Sequence, residues 1–381
     1  MKRVAPIVAV IAACSSAPQP TVQTVTTAPA ATAPETTTAA SSTPPISTTV
    51  PVTTTIARQL PVTCSWETPT GDTEITFAVG ARLYGLVAAR SEVRCLAELA
   101  SPPESLLWSP DGERFIEGAN IHDSSGTTEL PNEAAGGGWT RPTGQGIFYV
   151  TDSGLYKWKN GRVEDISFLA THRAAAYHPA GTHIAVVGAV DTTPGGLRGL
   201  FLSTNRGTEG DLIAADEDAV LSSPAFDTDG LPLFIAQHSD RWDLHRVVPV
   251  PEGGLEVIDV ASGTRPLDLV TPSVFFGGDL AWVEGSEEGC GPEARTQILG
   301  FQSPELGYAS IPLGWVSPGV LVVEEFPGGC DQQFDLVTWT IGPEVQRNVV
   351  WSGVDAAALR LIYPDPPPPP SRNFADSTAP A

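Results

Sequence analysis

Residues 105–118 read SLLWSPDGERFIEG: an aromatic residue, Trp108, then a short turn carrying Pro110, Asp111 and Gly112, then an apolar strand opening at Phe115. The same order of aromatic, turn and strand returns in WTRPTGQGIFYVTD (139–152), AAYHPAGTHIAVVG (175–188), PAFDTDGLPLFIAQ (224–237) and LGWVSPGVLVVEEF (313–326). Weaker copies start at Phe77, in FAVGARLYGLV, and around Phe276, in FFGGDLAWVEG. The aromatic positions Phe77, Trp108, Trp139, Tyr177, Phe226, Phe276 and Trp315 are separated by 31, 31, 38, 49, 50 and 39 residues. A step of about 40 to 45 residues is the length of one four-stranded propeller blade. The units therefore predict an all-β propeller of six or seven four-stranded blades.

Strand composition agrees. Segments such as IFYVTD, HIAVVG, LVVEEF and FDLVTW are rich in Val, Ile, Phe and Trp, and Gly, Pro, Asp and Ser punctuate them. Helical periodicity is confined to two short stretches, 214–221 and 355–361, which read equally well as loop and strand. A pair of β-sandwiches is the structural rival, but sandwiches have no reason to repeat one aromatic-turn-strand unit. A ring of blades closes when a strand from the other terminus completes the last sheet. Residues 60–66 or 357–363 are the candidates for that strand.

The WSPDG turn followed by a strand resembles the TolB-type repeat, a relative of the WD repeat, with Trp108, Ser109, Pro110, Asp111 and Gly112 as its close match. In that repeat the proline presets the first turn dihedral, the Asp or Asn closes the turn through its side chain, and Gly supplies a positive φ. Later units keep only parts of it, for example Tyr177-His178-Pro179-Ala180-Gly181, where His178 takes the Ser position. The resemblance implies an aromatic ring packed between adjacent blades. It also implies interaction with protein partners through loops at one end of the central channel.

Residues 1–13, MKRVAPIVAVIAA, put Lys2 and Arg3 ahead of a short apolar run, the layout of a signal peptide. The run is too short to cross a hydrocarbon core, which takes roughly 20 helical residues. Ile11-Ala12-Ala13-Cys14 resembles the lipobox of bacterial lipoproteins, and that resemblance implies a lipid on the Cys14 thiol and a protein anchored on the extracytoplasmic side of a membrane. Two or more acyl chains, at about 0.8 kcal/mol per buried methylene, make a stable anchor. From Cys14 to residue 58 the chain is almost wholly Thr, Ala, Pro, Ser and Val, which reads as a disordered tether. The propeller is expected over 59–363 and a disordered proline-rich tail over 364–381.

The five cysteines resolve on the same logic. Setting Cys14 aside leaves Cys64, Cys95, Cys290 and Cys330, an even number that in an exported protein implies two disulfides. Three connectivities exist, and proximity along the repeat favours Cys64 with Cys95 and Cys290 with Cys330. No CxxC or Cys-His spacing supports a metal site instead.

Reactive motifs are sparse. The chain contains no G-x-S-x-G, H-E-x-x-H, Walker or dinucleotide fingerprint, so no catalytic residue, cofactor or metal is assigned. His172, His178 and His183 in THRAAAYHPAGTH, with His238 and His245, are the residues that would serve a propeller hydrolase, lactonase-like or glycosidase-like, if they met in the channel. The plainer reading makes them turn and surface residues. Asp111, Asp216–Asp218 and Asp227 fall short of a calcium-loop register and read as turn formers. Trp242 and the Tyr156–Trp158 segment are candidates for a sugar or peptide face, with Trp158 alternatively packed between blades. A net charge of −23 argues against nucleic acid. The resulting expectation is a monomeric scaffold that binds a protein or saccharide at the cell envelope, with hydrolysis as the alternative.

Overall fold

The computed structural model describes residues 60–67, 73–87, 92–131, 134, 137–141, 144–192, 197–204, 209–227, 229–251, 254–263, 273–275, 279–285, 294–330 and 332–360. Cys14 with its flanking segments, Phe276, Cys290 and the tail from residue 364 lie outside that set. The described residues contain strands and no α-helix, including at 214–221 and 355–360. The strands form six four-stranded sheets and one sheet with three described strands, arranged as a β-propeller.

The second sheet runs Leu107–Trp108, Phe115–Glu117, Asn120–Asp123 and Gly126–Glu129; the third Gly138–Trp139, Ile147–Thr151, Gly154–Lys159 and Arg162–Asp165. The fourth comprises Thr171–Tyr177, His183–Ala189, Arg198–Thr204 and Gly210–Ala214, and the fifth Val220–Phe226, Pro232–Gln237, Trp242–Pro249 and Leu255–Gly263. Ser273–Phe275, Asp279–Glu284 and Arg295–Ile298 make the sixth; Ala309–Ser317, Val320–Phe326, Phe334–Thr340 and Gln346–Val354 the seventh. All are antiparallel meanders. The first sheet alone breaks the order. Its strands Glu74–Val79, Arg82–Val87 and Val93–Glu98 are completed by Ala356–Arg360 from the far end of the chain.

The first strands of neighbouring sheets meet: Thr171–Tyr177 lies against Val220–Phe226, and Ala356–Arg360 touches both Ala309–Ser317 and Leu107–Trp108. Between the sheets the buried apolar side chains fall into seven clusters, one at each seam. Period-2 alternation explains this, because successive side chains of a strand face the preceding and following blade in turn. On Val320–Phe326, for example, Val320, Val322 and Phe326 face the first sheet, while Leu321 and Val323 face the sixth.

The aromatic of each strong repeat closes the seam with the sheet before it. Trp108 packs with Ala78, Leu83 and Leu96 of the first sheet. Trp139 donates Nε1–H to the Leu107 carbonyl at 3.0 Å. Tyr177 meets Phe148 at 4.9 Å, Phe226 meets His178 at 5.1 Å, and Trp315 joins Ala281 and Ile298. The turn glycines Gly112, Gly181 and Gly230 have φ of 68°, 68° and 77°, as the repeat requires.

The copy assigned to Phe77 is a correction. Phe77 sits on the second strand of its sheet, paired with Ala357, and not on the first. In the first sheet the position next to the missing turn is Arg360, opposite Glu74. Both side chains are 1% exposed and their charges meet at 3.1 Å. Arg360 also donates to the carbonyls of Gly112 (2.7 Å) and Glu67 (3.0 Å) and lies 4.2 Å over the Trp108 ring. Glu74 takes a second arginine, Arg94, at 2.7 Å. The segment at 60–67 does not close the ring. It runs beside Val93–Glu98, bridged through Cys64 and Cys95, which form the expected disulfide. Cys330 is disulfide-bonded as well.

Breaking a buried ion pair from one side strands the other charge, which costs about 3–5 kcal/mol. Glu74→Met, which leaves Arg360 buried without its carboxylate, should lower stability by that amount in urea unfolding, and Arg360→Met should cost less, because Arg94 still holds Glu74. Arg82→Met, which removes an exposed pair with Glu98, should leave the midpoint nearly unchanged.

Candidate functional site

Four of the five strong repeats begin their turn with a buried polar residue that follows the aromatic: Ser109, Thr140, His178 and Asp227 are 1%, 6%, 2% and 4% exposed, whereas Trp315 is followed by the apolar Val316. Each satisfies its own turn. The Ser109 hydroxyl donates to Asp111 Oδ1 at 2.5 Å and accepts the Arg114 N–H at 3.0 Å. Thr140 Oγ1 accepts the Gly146 N–H. His178 Nδ1 accepts the Ala180 N–H at 3.0 Å, which leaves the ring proton on Nε2. Asp227 Oδ1 accepts the Leu231 N–H at 2.8 Å, and its carboxylate also pairs with Arg246. The backbone repeats too, with Gly112, Gly181 and Gly230 each donating to the carbonyl three residues back.

Adjacent turns press on one another. A Cβ on Gly144 would meet Pro110 at 2.5 Å, and one on Gly230 would meet His178 Nε2 at 2.2 Å. Burial pushes the His178 imidazole down to about 4, with His183 adding to the effect. Burial likewise lowers His172 and His183, and raises the Tyr177 hydroxyl to about 12. Burial also raises the Asp227 carboxyl, opposed by the Leu231 N–H and by Arg246.

The candidate histidines do not meet. His172 lies against Phe168, His178 and His183 have ring centres 6.1 Å apart, His238 approaches Asp243 at 3.2 Å, and His245 approaches Asp259 at 3.0 Å. Among the described residues no group of three or more His, Cys, Asp or Glu side chains is placed to hold a metal ion. Asp216 caps its own turn by accepting the Asp218 N–H. The aromatic face expected at Trp242 is absent: Trp242 is 1% exposed, edge-on to Trp282 in the seam of the fifth and sixth sheets. Trp158 packs in the seam of the second and third.

What the sequence did not single out lies at the other ends of the strands. There the fourth and fifth sheets part to leave a cavity of about 220 Å³, lined among others by Arg173, Arg198, Ala189, Asp216, Val220 and Leu221. Arg173 is a bulged residue. Pairing steps from His172 opposite Gly188 to Ala174 opposite Val187 and leaves Arg173 without a partner position, and bulges re-aim a side chain. Arg198 stands opposite Ala189, which in turn stands opposite Thr171, so both arginines belong to one corner of the sheet. Both are exposed. Neither has a carboxylate within ion-pair distance among the described residues. By contrast Arg82, Arg94, Arg241, Arg246, Arg347 and Arg360 each hold one. Across the cavity Asp216 reaches His238 at 3.8 Å, and Asp243 holds both His238 and Arg241. Exposed Val190, Leu197 and Val220 add apolar surface at or beside the rim.

No family model matches the chain, and no curated protein matches it in sequence. The fold is similar to that of several solved structures. A prolyl endopeptidase is 9% identical with a TM-score of 0.47, over 74% of this chain and 50% of that one. An oligogalacturonate lyase in complex with manganese is 12% identical with a TM-score of 0.46, over 74% and 89%. TolB from Acinetobacter baumannii is 12% identical with a TM-score of 0.34, over 76% and 67%. The chain spans about half the length of the endopeptidase and of a puromycin hydrolase that it also matches.

His178 supplies a pH test of the turns. Its folded pKa lies below the unfolded 6.5, so the folded state binds fewer protons in between. Stability is full above about 6.5 and falls as pH drops towards 4, by on the order of 2 kcal/mol from this group. His178→Ser, which installs the residue found at 109, should flatten the loss of melting temperature between pH 6.5 and 4. An unchanged slope would mean that His178 carries no part of the acid sensitivity.

Proposed function

We propose that this chain is a lipid-anchored, extracytoplasmic β-propeller that acts as a binding module at the cell envelope and performs no catalysis of its own. Cys14 carries the lipid, residues 15–58 hold the propeller away from the membrane, and the end of the fourth and fifth sheets remote from the repeat turns receives a protein or saccharide partner. The observation that carries the reading is the cavity with Arg173 and Arg198, where charge is presented with no internal counterpart among the described residues. The histidines and aspartates that a hydrolase would use are engaged in turns and local ion pairs, which supports binding over hydrolysis.

Two measurements test it. Cys14→Ala should move the protein from the membrane fraction to the soluble fraction. After mild crosslinking in native membranes, Val220→Trp, which fills the cavity mouth, should abolish capture of the partner, whereas Val257→Trp on the fifth sheet's outer strand should not. Equal capture by wild type and Val220→Trp would place the binding surface elsewhere.

A further inference from the structure

We infer that the cavity between the fourth and fifth sheets binds the carboxylate of a small amphipathic ligand, with Arg173 and Arg198 holding the carboxylate and Val220 and Leu221 its apolar substituent. This deepens the binding reading above and rests on it.

Three features point to that chemistry. First, an acidic chain with 44 Asp and Glu against 21 Lys and Arg has carboxylates to spare for its arginines, and it uses them on most of those described. Two arginines left without one in the same cavity are therefore a departure from the pattern of this molecule. A planar guanidinium presents paired N–H donors that match the two oxygens of a carboxylate. Second, Arg173 is held there by a bulge in the first strand of its sheet, so its position is built into the backbone.

Third, the walls are of two kinds. Val220 and Leu221 at the start of the fifth sheet give apolar surface, and Ala189 and Gly199 keep the floor free of bulk. A Cβ on Gly199 would lie 2.3 Å from the backbone carbonyl oxygen of Ala214, so that position admits no larger residue. Asp216 is turned to its own loop and His238, and Asp191 in the lining has an interaction of its own. The volume, about 220 Å³, lies below the roughly 300–1,000 Å³ usual for drug-sized ligands. It suits one carboxylate with a branched apolar group, such as an acylated amino acid or the last residue of a peptide.

The probes are N-acetyl-leucine and its neutral isostere N-acetyl-leucinamide, titrated calorimetrically into the full chain. The acid should bind about tenfold tighter than the amide, the scale set by charge-assisted hydrogen bonds. In the double variant Arg173→Gln, Arg198→Gln that preference should vanish while the melting temperature stays within a degree or so of wild type, as for other exposed substitutions. Equal binding of the two probes, binding of neither, or a preference that survives in the double variant each overturns the carboxylate assignment. Crosslinking separates that failure from failure of the binding reading. A partner lost in Val220→Trp but retained in the arginine variant would leave the groove a binding site for a ligand that is not a carboxylate.

Discussion

The ring exists because Arg360 meets Glu74. Those residues stand 286 positions apart, and their contact converts an open row of sheets with two bare edges into a closed one. A buried ion pair is a poor source of net stability, since desolvation offsets much of the attraction. Its value here lies in register. The closing strand reads Ala-Ala-Ala-Leu-Arg, and three alanines have little shape with which to choose among slipped pairings. A slip by one residue would set Arg360 opposite Ile75 and part its buried charge from Glu74, which would keep only Arg94. The pair thus excludes the wrong closures more strongly than it rewards the right one. The Gly112 carbonyl, the Trp108 ring and the Glu67 carbonyl around Arg360 then tie the closure to the second sheet and to the incoming chain.

Around the rest of the ring the corresponding position is covalent. At four of the aromatics the chain leads directly into a turn, and the residue after the aromatic is a buried polar group that completes that turn; after Trp315 the apolar Val316 stands there instead. Ser109, Thr140, His178 and Asp227 fill one slot with four different chemistries. The side chains that look most reactive are thereby tied into turns. His178 is held neutral by burial and by an accepted backbone N–H, and Asp227 is consumed by Leu231 and Arg246.

The repeat was legible because its parts are local. An aromatic, a turn with a positive-φ glycine and an apolar strand lie within about a dozen residues, and Gly112, Gly181 and Gly230 adopt the backbone that the motif requires. The closing sheet defeats the same method, since its first and second strands belong to opposite ends of the chain and no turn joins them. Phe77 was the nearest aromatic to a turn, but the slot it was assigned belongs to Arg360, a residue that no local pattern marks. Trp242 looked exposed amid HSDRWDLH because its neighbours are polar, yet in a strand the alternate positions face opposite ways, and it points into a seam. Arg173 was invisible for a further reason. Its placement comes from a bulge, and a bulge is a property of two paired strands rather than of one.

The charge of the molecule and the character of the cavity belong together. A field of net −23 repels anions at long range, but at physiological salt it is screened beyond about 8 Å. Inside that distance the cavity presents Arg173 and Arg198, with Asp191 and Asp216 in the same lining. A polyanion must bring many charges through the outer field and finds only two arginines to receive them. A ligand with a single carboxylate suffers little of the repulsion and gains the whole of the local attraction. On the carboxylate proposal, acidity acts as a filter that favours monovalent acids with apolar bodies over polyanions.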